Sequence, residues 1–263
     1  MSLSSIEFKE LQAAKILLEN PGVAARLTHL IGTPIEKGLD LLPQDWSEKV
    51  QELTQAALIS AAHAAVFTMD DIPGEASSEQ WHKLGAAISG GLGGFFGLTL
   101  IAAELPVSTT IILRSIADIA RSEGESVLSI ETKLACLEVF ALGGGSSSDD
   151  GVETGYFTVR STLAKSVTEA TEYIARHGVV GEAGPALIKF LAKIAKYFGI
   201  QVTQKVAAQA VPAMGAAGGA VINTLFIDHF QDMARGHFII RKLERTHGRR
   251  VIRPLYDALP ARV

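Results

Sequence analysis

The chain has 263 residues, 48 % of them hydrophobic and 20 % charged, with a formal net charge of −4. That balance excludes a general polyanion binder, and nucleic acid with it, while the mean hydropathy of +0.25 is high for a soluble domain. The single cysteine, Cys136, excludes a disulfide framework and a cysteine zinc site, and in its apolar helical run it reads as a small buried hydrophobe in a reducing compartment.

The first 20 residues lack the basic-then-apolar order of a secretory signal, which places the protein in the cytoplasm. Ser4 and Glu7 have capping-box spacing and open a helix that Asn20-Pro21-Gly22 stops. Thr33-Pro34-Ile35-Glu36 opens a second helix, broken at Pro43-Gln44-Asp45. Residues 1–44 are therefore read as N-terminal helices, ahead of a larger all-α domain over 45–259. A long amphipathic helix follows over Trp46–Phe67, then a loop at Asp70–Gly74 and a helix start at Ser77 with Gln80.

Residues 84–103 carry no charge and hold Gly90, Gly93, Gly94 and Gly97. Glu104 and Pro106 interrupt this stretch, and Val107–Ala120 resumes the helical rhythm. Helices are expected over Leu128–Leu142, Val152–Arg176 and Ala186–Phe198, with a flexible loop at 143–151. A second charge-free window, 206–227, contains Gly215, Gly218 and Gly219 and leads into a helix that Gly248 ends. A short basic tail helix over Arg249–Leu259 completes the chain. No stretch alternates like a strand, so the fold is all-α. Each helical glycine costs about 1 kcal/mol against alanine. Their small-xxx-small spacing offers close helix approach in return, which predicts that 84–103 and 206–227 pack on each other as central helices.

Both windows have the length of a bilayer span, yet Gln209, Asn223 and Thr224 also suit a buried core helix. Beyond them the chain turns polar. Asp228, Asp232 and Arg235 share one helix face, and His237, Arg241 and Glu244 form a second stripe on roughly the opposite face. Either is an ordinary polar stripe or part of a site. His229 with Asp232 is the one pairing with metal-ligand or proton-transfer spacing, with Glu104, Asp118 or Glu138 as further donors. No phosphate-loop or HExxH motif is present, and the glycine run near Gly90 lacks the preceding strand of a dinucleotide fingerprint. No cofactor is expected beyond, at most, such a divalent metal. From Arg235 to Arg253 the basic residues, Arg241, Lys242, Arg245, Arg249, Arg250 and Arg253 among them, face one acid, Glu244. A basic amphipathic end suits an anionic lipid surface; a solvated surface helix is the competing reading.

The run GAAGGAVINTLFIDHFQDMARGHFIIRKLERTHG, with GGLGGFFG and ELPVSTTIILRSIADIA upstream, resembles the EcsC family over roughly residues 45–259. That resemblance implies an all-α protein tied to transport and secretion, with no agreed catalytic residue to carry over. The polar residues above, from Asn223 to Glu244, are then site candidates. The expectation is a non-enzymatic accessory at the inner membrane face, meeting anionic lipid or a membrane transport protein and holding an apolar small molecule. The alternative is a metal-dependent hydrolase around His229 and Asp232.

Overall fold

The first helix forms as its spacing predicts. The Ser4 hydroxyl accepts from the Glu7 N–H at 3.2 Å while the Glu7 carboxylate accepts from the Ser4 N–H at 2.8 Å, closing the capping box. The computed structural model describes residues 3–19, 22–32, 35–43, 45–66, 98–144, 155–177, 184–210 and 215–260. The described residues form ten α-helices and no strand, as the periodicity requires. They are α1 (Ser5–Leu18), α2 (Val23–Ile31), α3 (Glu36–Leu39), α4 (Trp46–Ala61), α5 (Leu98–Ser122), α6 (Ile130–Glu138), α7 (Tyr156–His177), α8 (Pro185–Ala210), α9 (Gly215–His247) and α10 (Arg249–Ala258). A π turn over Ala62–Val66 extends α4, and a 3₁₀ turn over Val139–Ala141 extends α6.

Several boundaries differ from the sequence reading. α2 was not foreseen; it needs no side-chain cap and ends on Gly32, whose φ of 67° only glycine adopts cheaply. Pro106 does not interrupt α5, which runs through it. A proline inside a helix costs about 3 kcal/mol. Here burial of Leu105, Ile112, Leu113 and Ile116 outweighs that cost. α8 continues past Phe198 to Ala210. The 206–227 window is therefore divided: residues 206–210 end α8 and 215–227 open α9, with 211–214 outside the described residues.

α9 is the axis. It packs against α1, α2, α5, α8 and α10, while α8 gathers α2, α3, α4 and α7 around itself. The two meet in a continuous core whose centre is aromatic. Phe140 lies 4.7 Å from Phe198 and 5.2 Å from Phe230, and Phe226 lies 5.1 Å from Phe230, ring centre to ring centre. The described part of α5 packs along α9, with Gln231 donating to the Ser115 hydroxyl at 2.7 Å. The expected seam of Gly90, Gly93, Gly94 and Gly97 lies outside the described residues, as do the 67–83 loop and helix start and the loop at 145–151. Gly218 and Gly219 are buried in α9. One close approach that the structure does show is at Gly236, where an added Cβ would stand 2.6 Å from Leu18 Cγ. That glycine lets α1 lie against α9. Among the described residues no helix is long and apolar enough to cross a membrane.

Candidate functional site

The polar residues of α9 separate into two places with different character. In the middle of the helix, Asp232 pairs with Arg26 of α2 at 2.6 Å, and Asp228 is half-buried nearby in sequence. Asn223 is buried, and Arg235 is exposed. His229 points instead into the aromatic core beside Phe230, with the Leu142 backbone as a polar neighbour. Burial, reinforced by the charge of Arg26, pushes its pKa down to about 3, so the ring is neutral. Gly143 closes over it. A Cβ there would stand 2.5 Å from His229 Cε1, and the φ of 71° is also one that suits glycine.

His229 and Asp232 thus face different partners, although three residues separate them. Two of the three further donors proposed from sequence are also engaged elsewhere. Glu104 accepts from Lys205 at 2.9 Å, and Asp118 accepts from Arg121 at 3.1 Å. Among the described residues no three histidine, cysteine or acidic side chains gather as a metal ion would require.

The C-terminal half of α9 builds the richer site. The spacing of His237, Arg241 and Glu244 puts them toward α6, α7 and α10, and each meets a residue the sequence reading did not pair with it. Arg160 of α7 donates both guanidinium arms to Glu244, at 3.0 and 2.9 Å, and also donates to the Tyr156 hydroxyl at 3.1 Å. That hydroxyl lies 3.0 Å from His237 Nδ1. His237 is buried, and burial with the charges of Arg160, Arg241 and Arg249 holds its pKa well below the usual value. The ring is neutral, so the arrangement assigns the Tyr156 hydroxyl as donor to a bare Nδ1. Burial likewise raises the Tyr156 hydroxyl, which stays protonated.

Beside this chain sits a second hub. Glu125 accepts from Arg241 at 2.8 and 3.3 Å, from Arg245, and from the Thr132 hydroxyl at 2.9 Å. Burial acts to raise its pKa, but the hydrogen bond and charge of Arg241, with Thr132 and Arg245, outweigh it and keep the carboxylate below its usual range. Lys242 pairs with Glu10 at 2.9 Å and with Glu123 at 3.4 Å. So Arg241, Lys242 and Arg245, read from sequence as membrane-facing, are answered by acids of the same molecule. Arg249, Arg250 and Arg253 stand exposed on α10.

Between α6, α7, α9 and α10 these groups enclose a cavity of about 330 Å³. Its buried wall is Glu138, Arg160, Arg241 and Glu244; Arg249 and Arg253, with side chains 74 % and 58 % exposed, stand at its open side. Glu138 is 6 % exposed and makes no hydrogen bond to any described residue. Burial raises its pKa, more than Arg160, Arg241 and Arg249 lower it. On the other side of α10 an open groove is lined by Leu3, Phe8, Arg250, Val251, Pro254 and Leu255.

Arg160 and Tyr156 were legible only as a pair at i,i+4 on a helix face that also carries buried Val159 and Leu163. An arginine between core positions is the signal that could have found them. No curated protein and no solved structure matches the chain. The model of the EcsC protein family matches residues 6–243, from the first turn of α1 to the Arg241 turn of α9, and the chain belongs to that family.

Proposed function

We propose that the protein is an accessory of a transport or secretion process that attaches to an anionic membrane face through α10 and the start of α1. The observation that carries this reading is the division of α10. It buries Ile252 and Tyr256 against the core while Arg249, Arg250 and Arg253 stay in solvent. Beside Arg250, Phe8 and Leu255 are 40 % and 36 % exposed along the groove that Leu3, Val251 and Pro254 complete. Apolar side chains beside an exposed guanidinium group match the boundary of a bilayer, where the rings and aliphatic chains enter and the charge meets phosphates. Each basic group near an anionic surface contributes about 1 kcal/mol.

Flotation of the purified chain with phosphatidylglycerol-containing and neutral vesicles tests the reading. Binding to anionic vesicles alone, weakened by salt, is expected. Arg250→Glu should reduce the bound fraction about tenfold or more, because one favourable charge becomes one unfavourable charge. Phe8→Asp should abolish the part that survives salt. Equal binding by both variants and the native chain would remove the attachment surface from α10.

A further inference from the structure

We propose that the cavity between α6, α7, α9 and α10 binds a small organic phosphate that also carries a hydroxyl or amine, its phosphoryl group on Arg249 and Arg253 and its donor on Glu138. The inference goes beyond membrane attachment and does not depend on it.

Of the cavity's four guanidinium groups, two are committed to carboxylates and two are more loosely held. Arg160 is held by the Glu244 fork and Arg241 by the Glu125 fork, so these two guanidinium groups shape the wall. Among the described residues Arg249 reaches only Glu244 Oε2, at 3.6 Å, an oxygen that Arg160 already occupies at 2.9 Å. Arg253 lies 3.9 Å from Asp257 and over the Phe157 ring at 5.5 Å. Both are long, loose contacts, and both residues lie at i,i+4 on α10, one turn apart on the cavity side. A phosphoryl group offers three acceptor oxygens and up to two charges, which two guanidinium forks can share.

Glu138 sets the second requirement. A carboxyl this deeply buried is ordinarily hydrogen-bonded, and this one faces the cavity. It lines the same cavity, at the junction of α6 and its 3₁₀ extension, and finds no partner among the described residues. Arg160, Arg241 and Arg249 surround it electrostatically without bonding to it. A bare anion would meet the arginines and leave Glu138 unanswered, whereas a hydroxyl or amine attached to the phosphate answers both. The enclosed volume of about 330 Å³ admits a molecule of a few heavy atoms, the size of a polar headgroup.

Calorimetric titration of the full chain with glycerol 3-phosphate, and separately with inorganic phosphate, is the test. Saturable binding of glycerol 3-phosphate is expected, about tenfold tighter than inorganic phosphate. Arg249→Ala with Arg253→Ala, both on the surface, should weaken both probes at least tenfold. Glu138→Leu should bring glycerol 3-phosphate down to the affinity of inorganic phosphate. If that variant does not fold, the arginine pair still decides. No saturable binding of either probe, or binding unchanged in the arginine variant, would overturn the proposal.

Phosphatidylglycerol vesicles then separate two sources of the same chemistry. Release of vesicle-bound protein by free glycerol 3-phosphate would make a lipid headgroup the occupant; simultaneous binding of both would make it a soluble metabolite. Phe8→Asp and Arg250→Glu lie outside the cavity. Flotation unchanged in both variants, with titration intact, would therefore fail the attachment reading and leave this one standing.

Discussion

At the scale of single residues, the two buried histidines of α9 tie stability to pH. Both rings are neutral in the folded state, His229 with a pKa of about 3 and His237 well below its ordinary value. The unfolded chain takes up those protons near pH 6.5, the ordinary histidine value. Between that value and the folded ones the unfolded state binds more protons, so stability is full above about pH 6.5 and falls on acidification. At pH 5 the loss is about 2 kcal/mol for His229, and His237 adds to it in the same direction. Glu138 acts in the opposite sense. Its raised pKa favours the folded state below the ordinary carboxyl value and loses that contribution as pH rises through the folded one. On acidification that contribution returns from the folded value downward and is complete near pH 4.5, offsetting part of the histidine loss. Urea unfolding at pH 7 and pH 5 should show the drop, and His229→Leu should shrink it. Equal stability at the two pH values would show that these rings are not the buried neutral groups described. In sequence His229 was paired with Asp232 and His237 belonged to a polar stripe; nothing local distinguished a histidine sealed by Gly143 from one bonded to Tyr156. Those partners arrive from 81 residues or more away, which no helical spacing encodes.

At the scale of elements, local signals were readable and their tertiary overrides were not. The capping box of α1, the Gly248 stop and the tail helix α10 depend on neighbours within a few residues, and each stands as the spacing predicts. Pro106 inside α5 and the long run of α8 depend on what the helices pack against. Both meet in one ion pair. Lys205, 2 % exposed on α8, donates to Glu104 of α5 at 2.9 and 3.2 Å and lies over the Phe226 ring. Glu104, which the sequence suggested as a helix interruption, is instead held inside the helix by that contact. Removing one partner strands a buried charge, at a cost of about 3–5 kcal/mol, while replacing both with apolar side chains is close to neutral. Glu104→Leu alone should therefore lower the unfolding midpoint markedly, and Glu104→Leu with Lys205→Met should recover most of the loss. A double variant as unstable as the single one would mean that α5 and α8 are joined by packing and not by this pair.

At the scale of the whole molecule, the two ends of the chain are fastened together, and both proposed surfaces depend on that fastening. Lys15, buried on α1, donates to the carbonyls of Tyr256 at 2.9 Å and Leu259 at 2.7 Å. These carbonyls belong to the last turn of α10, where the helix has no partners of its own to offer. His247 and Glu7 add a second link at 2.7 Å, which holds the Glu7 carboxyl down to about 2, and Lys242 with Glu10 adds a third. α10 has ten residues, too few to persist as a helix in water without such contacts. Lys15→Met keeps the aliphatic stem and the packing but removes the donor, leaving two carbonyls unmet at a cost of about 1–3 kcal/mol. Because the contact is confined to α10, the loss should appear first as local opening there. Hydrogen exchange of the Arg249–Ala258 amides should accelerate while α7 and α8 keep their protection. Vesicle binding and phosphate binding should weaken together, since Arg250 and Phe8 form one surface and Arg249 and Arg253 the other. If exchange rose across the whole core instead, Lys15 would be supporting the fold at large. If it rose nowhere, α10 would be held by Ile252 and Tyr256 alone, and the two surfaces would be fixed by apolar burial without the clamp.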